Sequence, residues 1–221
     1  MRNKRHTYFF VLLLVLLFVV LAAAKDAVFT MPRAFHAKTY PARDEHKDES
    51  FTIAADPYDM PDKQAKAFAT DFAARDLVPI HMIFTNDGGQ TVSLAKMRVV
   101  LITKKRQKLL PESLEDLYRH LTQVKHRVTD PQVQLPIPLP KHKAGGMNKQ
   151  TRAEVDGSQL LARAVEPHAT QGGFLFFDIE GIENPLAGAR IEITGITNDK
   201  DQELFYFEIP LEKYLGYQPV K

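Results

Sequence analysis

The chain's eight histidines are the side chains best suited to bind a metal or move a proton near neutral pH. Two imidazoles reach one ion from a single strand at i, i+2, or from a single helix at i, i+4. His36, His46, His120, His126, His142 and His168 meet neither spacing, so they are read as solvent-facing side chains. His81 differs because it interrupts an apolar run, where a polar residue packed beside an arginine or a carboxylate is expected. The sequence assigns no catalytic residue, no metal ligand and no cofactor.

Acidic residues receive the same treatment. Asp199, Asp201 and Glu203 alternate like the start of a calcium loop, which also needs Gly at its sixth place and Glu at its twelfth. Leu204 and Pro210 stand there instead, so the stretch reads as a hairpin turn. Asp56, Asp59 and Asp62 likewise read as a turn followed by a helix start rather than a cation site. The chain holds no G-x-S-x-G elbow, no phosphate-binding glycine loop, no H-E-x-x-H pair and no dinucleotide-binding glycine pattern. Catalytic groups can still assemble from distant positions.

Lys125, Arg127, Lys141, Lys143, Lys149 and Arg152 form a local concentration of positive charge, with Asp130 and Glu154 as nearby acids. A solvated loop accounts for it. As a functional alternative, the six could lie on an anionic surface, each contributing about 1 kcal/mol near anionic lipid.

The elements that carry these residues begin with a leader. Arg2, Lys4 and Arg5 precede an apolar run from Tyr8 to Leu21 that closes on Ala22-Ala23-Ala24. A charged start, an apolar stretch and a small-x-small end make a signal peptide, cleaved here before Lys25. Counted to Ala24, the run is also just long enough for an uncleaved membrane anchor. Both readings stand, and both export residues 25–221. Basic residues concentrate ahead of the run, which keeps the N-terminus in the cytoplasm.

Lys and Arg total 29 against 27 acids, and three of the 29 belong to the leader. Without a net basic surface, nucleic acid is not an expected partner. The absence of cysteine excludes a disulfide framework and thiol chemistry. Stability must therefore come from a hydrophobic core.

Residues 25–50 read as a flexible tether, with Pro32, Pro41 and the mixed-charge run Arg43–Glu49 lacking an apolar period. Folded structure is expected over residues 51–221. Phe51, Ile53 and Ala55 alternate as a strand, and Met60–Ala74 is compatible with a helix. Leu77–Thr85 is apolar on both faces, as a central strand would be, and Asn86-Asp87-Gly88-Gly89 then turns the chain. The apolar phase shifts between Leu94 and Met97, which predicts a bulge or a crossing between sheets. Leu114, Leu117, Tyr118, Leu121 and Val124 recur at helical spacing.

From about residue 125 to 157 the periodicity stops in a long insertion containing the polyproline-like segment Gln134–Pro140. Strands resume at Gly173–Ile179, Ala189–Thr197 and Glu203–Ile209, the last with Phe205, Phe207 and Ile209 on one side. A short helix or turn is expected after Pro210. The predicted class is mainly β: an antiparallel β-sandwich with one or two short helices, behind an N-terminal apolar helix.

The segments LVPIHMIFTNDGG, LPESLEDLYRHL and VEPHATQGGFLFFDI…ARIEITGI…ELFYFEIPLEKYL resemble uncharacterised bacterial exported or membrane-anchored proteins with an immunoglobulin-like sandwich. The resemblance covers roughly residues 51–100 and 160–215. It implies that fold and a bacterial envelope location, periplasmic or anchored in the inner membrane. It carries no site residues. The expected function is a binding or interaction module for an unidentified ligand or protein, held at the membrane by residues 8–24 if these are uncleaved. The alternatives are an envelope hydrolase with an unrecognised site and a passive structural component.

Overall fold

The computed structural model describes residues 29–122 and 147–215. The apolar leader, the proline-rich segment and Lys125, Arg127, Lys141 and Lys143 lie outside the described residues. Among the described residues, no helix is long and apolar enough to cross a membrane.

The strands in chain order are β1 (Arg43–His46), β2 (Phe51–Pro57), β3 (Leu77–Asn86), β4 (Val92–Ser93), β5 (Arg98–Ile102), β6 (Lys108–Leu109), β7 (Ala164–Val165), β8 (Ala169–Asp178), β9 (Arg190–Thr194) and β10 (Phe207–Pro210). The helices are α1 (Pro61–Ala67), α2 (Leu114–Thr122), α3 (Lys149–Ser158) and α4 (Glu212–Leu215). One antiparallel sheet runs β1-β2-β3-β8 and another β10-β9-β5-β6, while β4 and β7 pair separately.

Side-chain alternation explains how the two large sheets meet. Val78, Ile80, Met82 and Phe84 on β3 face inward with Phe51 and Ile53 of β2. They share a buried core with Leu101, Ile191, Ile193, Phe207 and Ile209 from the opposing sheet. Each such side chain contributes roughly 1.5–3 kcal/mol by leaving water. The odd-numbered face of β3 is also covered. Leu77 joins Phe174 and Phe176 of β8 beneath Phe68, Phe72, Leu117 and Val155, a second core between sheet and helices. Two-sided burial is why β3 carries apolar residues at both phases. The phase shift after Leu94 is a crossing: β4 pairs with β7, and β5 belongs to the opposing sheet.

Pro79 sits within β3 and has no N–H to donate. Its own carbonyl accepts from Tyr58 N at 2.8 Å. The Tyr58 carbonyl is bonded by the buried Gln64 side chain through Nε2 at 3.1 Å. Gln64 Oε1 in turn accepts from Phe72 N at 2.8 Å. One amide thus serves two backbone groups and fixes α1 against the sheet. Gln64→Leu is expected to cost about 2 kcal/mol by leaving both unpaired, measured as a lower urea midpoint; an unchanged midpoint would refute this role.

Four sequence expectations need correction. The tether reading fails from residue 29 onward: Arg43–His46 pairs with Ala54–Phe51, and Ala37 and Ala42 are fully buried. Backbone pairing asks for no apolar period, so a charged run can form an edge strand. The insertion does not stay irregular to residue 157, because Lys149–Ser158 is a helix whose N-cap Asn148 accepts from Thr151 N. Its weak apolar stripe, essentially Val155, hid it. The helix expected over Met60–Ala74 stops at Ala67, and a 3-10 turn follows at Ala73–Arg75. The last strand begins at Phe207, leaving Phe205 67% exposed.

Candidate functional site

The aspartates before and within α1 lie on one wall of an open cleft of about 660 Å³, lined by Phe35, Tyr40, Tyr58, Met60, Lys63, Tyr214 and Leu215 among others. Three chain segments build it. The N-terminal segment contributes Phe35 and Tyr40, anchored by Ala37, whose N–H bonds the Thr85 hydroxyl at 2.9 Å. The β2–α1 connection supplies Asp56, Tyr58, Asp59, Met60 and Lys63. Helix α4 brings Tyr214, positioned because buried Leu211 donates its N–H to the Ala189 carbonyl at 3.0 Å.

At the base, the Lys63 ammonium contacts Asp56 Oδ1 at 2.5 Å and the Pro57 carbonyl at 2.7 Å. It also lies 4.7 Å from the Tyr58 ring centre and 4.5 Å from that of Tyr214. Such aromatic bracketing favours a cation most where water is excluded. The Tyr214 hydroxyl donates to Asp59 Oδ1 at 2.8 Å. Burial holds the Asp56 carboxyl above its usual range, and the adjacent ammonium opposes that rise only in part. Burial, reinforced by Asp56, raises the Tyr58 phenol. Burial and Asp59 likewise raise Tyr214. Both phenols therefore remain protonated donors at neutral pH.

Above this polar base, Phe35 is 56% and Met60 60% exposed, with Leu215 beside them. The arrangement combines an apolar mouth with a cross-linked polar floor. Asp56, Lys63 and Asp59 on that floor are already paired, so these groups offer a ligand orientation and burial. No histidine lines it.

The sequence-derived candidates lie elsewhere. Lys149 and Arg152 are exposed on α3, where Arg152 stands 5.3 Å from the Tyr118 ring centre and 4.0 Å from Asp156. His36 and Lys38 each bond Asp87 at 2.9 Å. The reading of His46 as solvent-facing is wrong. Its ring stacks on Phe207 at 3.7 Å, with 13% of its side chain exposed. His81 is buried, stacked on Phe174 at 4.8 Å, and its Nε2 has no hydrogen-bond partner. Asp56 is its register partner on β2, but no carboxylate or arginine bonds that nitrogen, which lies close against Gly172. Burial, with Lys63 adding to it, lowers its pKa to about 4. The Asp199–Glu203 stretch is a turn, as expected: Asn198 Oδ1 accepts from Lys200 N and Gln202 N, and Lys96 pairs with Asp201 at 2.8 Å.

Sequence reasoning missed the cleft entirely. Tyr214 lies 151 positions from Lys63, and nothing local announces their meeting. The one available signal was the density of aspartates, tyrosine and methionine in Asp56–Asp62 ahead of a short helix. No protein-family model and no curated protein matches the chain.

Proposed function

We propose that this is an exported binding module with an immunoglobulin-like sandwich, and that its cleft takes a small ligand with an apolar or aromatic body. The cleft carries the reading: its volume falls within the ~300–1,000 Å³ typical of small-molecule sites, and aromatic walls meet a few fixed polar groups there. The strand order supports the fold assignment. Assigning β2, β3 and β8 to A, B and E, and β10, β9, β5 and β6 to G, F, C and C′, gives an order compatible with an immunoglobulin sandwich, with β1 as an additional edge strand. Among the described residues, helices and β7 stand between β6 and β8, and no D strand lies beside β8. The leader supports export, with residues 8–24 as tether if retained and release after Ala24 if cleaved. The basic residues of the insertion could then rest on the adjacent anionic surface.

Two experiments separate these claims. The full-length chain is expressed in a bacterial host and fractionated, and the product's N-terminal residue is determined. Met1 in the membrane fraction or Lys25 in the exported soluble fraction supports export; an intact chain in the cytosol overturns it. For the cleft, indoles, phenols and short fatty acids are screened by saturation-transfer NMR against the full chain and its Met60→Glu variant. At least one class is expected to bind below about 1 mM and to weaken tenfold or more in the variant. A panel with no such ligand refutes the small-molecule reading.

A further inference from the structure

The geometry points to a second site, independent of the cleft: a divalent transition-metal site formed by Glu112, His120 and Asp178. One ligand atom from each lies within 4.8 Å of the other two. Tetrahedral coordination at about 2.0–2.2 Å places neighbouring ligand atoms about 3.4 Å apart. Modest side-chain rotation therefore closes the set around one ion.

Rigid parts of the fold supply all three residues. Asp178 ends β8, and its Oδ1 accepts from Glu180 N at 2.8 Å, which restrains the carboxylate. The Glu112 N–H donates to the Phe176 carbonyl at 2.8 Å, tying the approach to α2 onto the same strand. His120 lies in the last turn of α2, whose Leu117 and Leu121 are buried against the outer face of the sheet. The helix therefore folds its imidazole back over the carboxylate preceding it.

Electrostatics make the cluster unusual. Glu112, His120 and Asp178 are all half-buried. Among the described residues, no ion pair or side-chain hydrogen bond engages the Glu112 carboxylate or the His120 ring. Arginine does not close the gap, since Arg119 pairs with Asp116 instead. Two converging carboxylates beside an imidazole that no side chain bonds are relieved by a cation.

One nitrogen and two carboxylate oxygens suit Zn²⁺, and also Mn²⁺ or Co²⁺, better than soft-ligand ions. Three protein ligands leave at least one coordination position for water or an external group. A bound ion would also clamp α2 to the end of β8.

The test uses the full-length chain, purified in detergent through a tag without histidine and stripped with chelator. Zn²⁺ alone is titrated by calorimetry, and Co²⁺ alone by visible absorption. One equivalent of Zn²⁺ is expected, with affinity falling tenfold or more in His120→Ala, Asp178→Asn and the near-isosteric Glu112→Gln. Co²⁺ should give d–d bands that disappear in His120→Ala. The double variant His36→Ala/His168→Ala, which removes two histidines outside the cluster, should bind unchanged. Absence of stoichiometric binding overturns the proposal. So does binding that survives His120→Ala and Glu112→Gln, or that is lost in the double variant, because the ion would then sit elsewhere.

Discussion

Replacing Lys63 by methionine is expected to destabilise the fold by about 3 kcal/mol at neutral pH, the scale for removing one partner of a largely buried pair. Methionine keeps the apolar stem but removes the cation that contacts Asp56, the Pro57 carbonyl and the rings of Tyr58 and Tyr214. Asp56 already has a raised carboxyl pKa, and loss of the ammonium raises it further. A carboxyl with its folded pKa above the unfolded value stabilises fully below the unfolded pKa, and this contribution is lost as pH rises through the folded one. Lys63→Met should therefore regain stability on acidification. Adding Asp56→Asn should remove that pH dependence and recover part of the loss. Urea unfolding of the two variants across pH provides the check, and a Lys63→Met curve parallel to wild type would sink the argument. Because the ammonium spans two cleft walls, the same variant should also loosen α4 and weaken ligand binding.

Acid provides the second large effect. His81 titrates at its ordinary 6.5 when unfolded but near 4 in the fold, where burial disfavours the charged ring. Above pH 6.5 neither state carries the proton, and the stabilising contribution is complete. Between 6.5 and 4 the unfolded chain is protonated first, so stability is lost as pH falls through the folded value. The gap corresponds to about 3 kcal/mol. Glu154 adds a later loss. Its depressed carboxyl accepts from Ala69 N and Thr70 N, and that contribution disappears below its unfolded value of 4.5. Asp56 acts in the opposite direction. His81→Leu isolates the histidine: its stability should stay nearly flat from pH 6.5 to 5 while wild type declines. At pH 7 it should match or exceed wild type, because the buried, unpartnered Nε2 is removed. Equal slopes would mean that the ring is not held neutral.

Much of the β scaffold was legible from local pattern. Leu77–Asn86 carries apolar side chains at both phases because it is covered on both faces, and the break after Leu94 marks a passage between sheets. Asn86 was readable as a turn residue; its Oδ1 accepts from Gly88 N, while its Nδ2 reaches Gln90 and Val165 carbonyls. Arg43–His46 and Lys149–Ser158 were not legible as elements. The first gains its place by pairing with β2, and the second through one apolar anchor and the Glu154 carboxylate. Neither leaves a period in the chain.

By itself, the sequence determined that the domain is mainly β, that β3 is internal and that cysteine chemistry plays no part. Those conclusions rest on side-chain alternation and composition, which are local or summed properties. Only the tertiary structure decided the two places where chemistry converges. Lys63 meets Tyr214, whose hydroxyl bonds Asp59, at the cleft, and Glu112 and His120 meet Asp178 across the edge between helix and sheet. Charged and aromatic partners far apart in the chain share no periodicity, because packing of the apolar faces between them sets their distance.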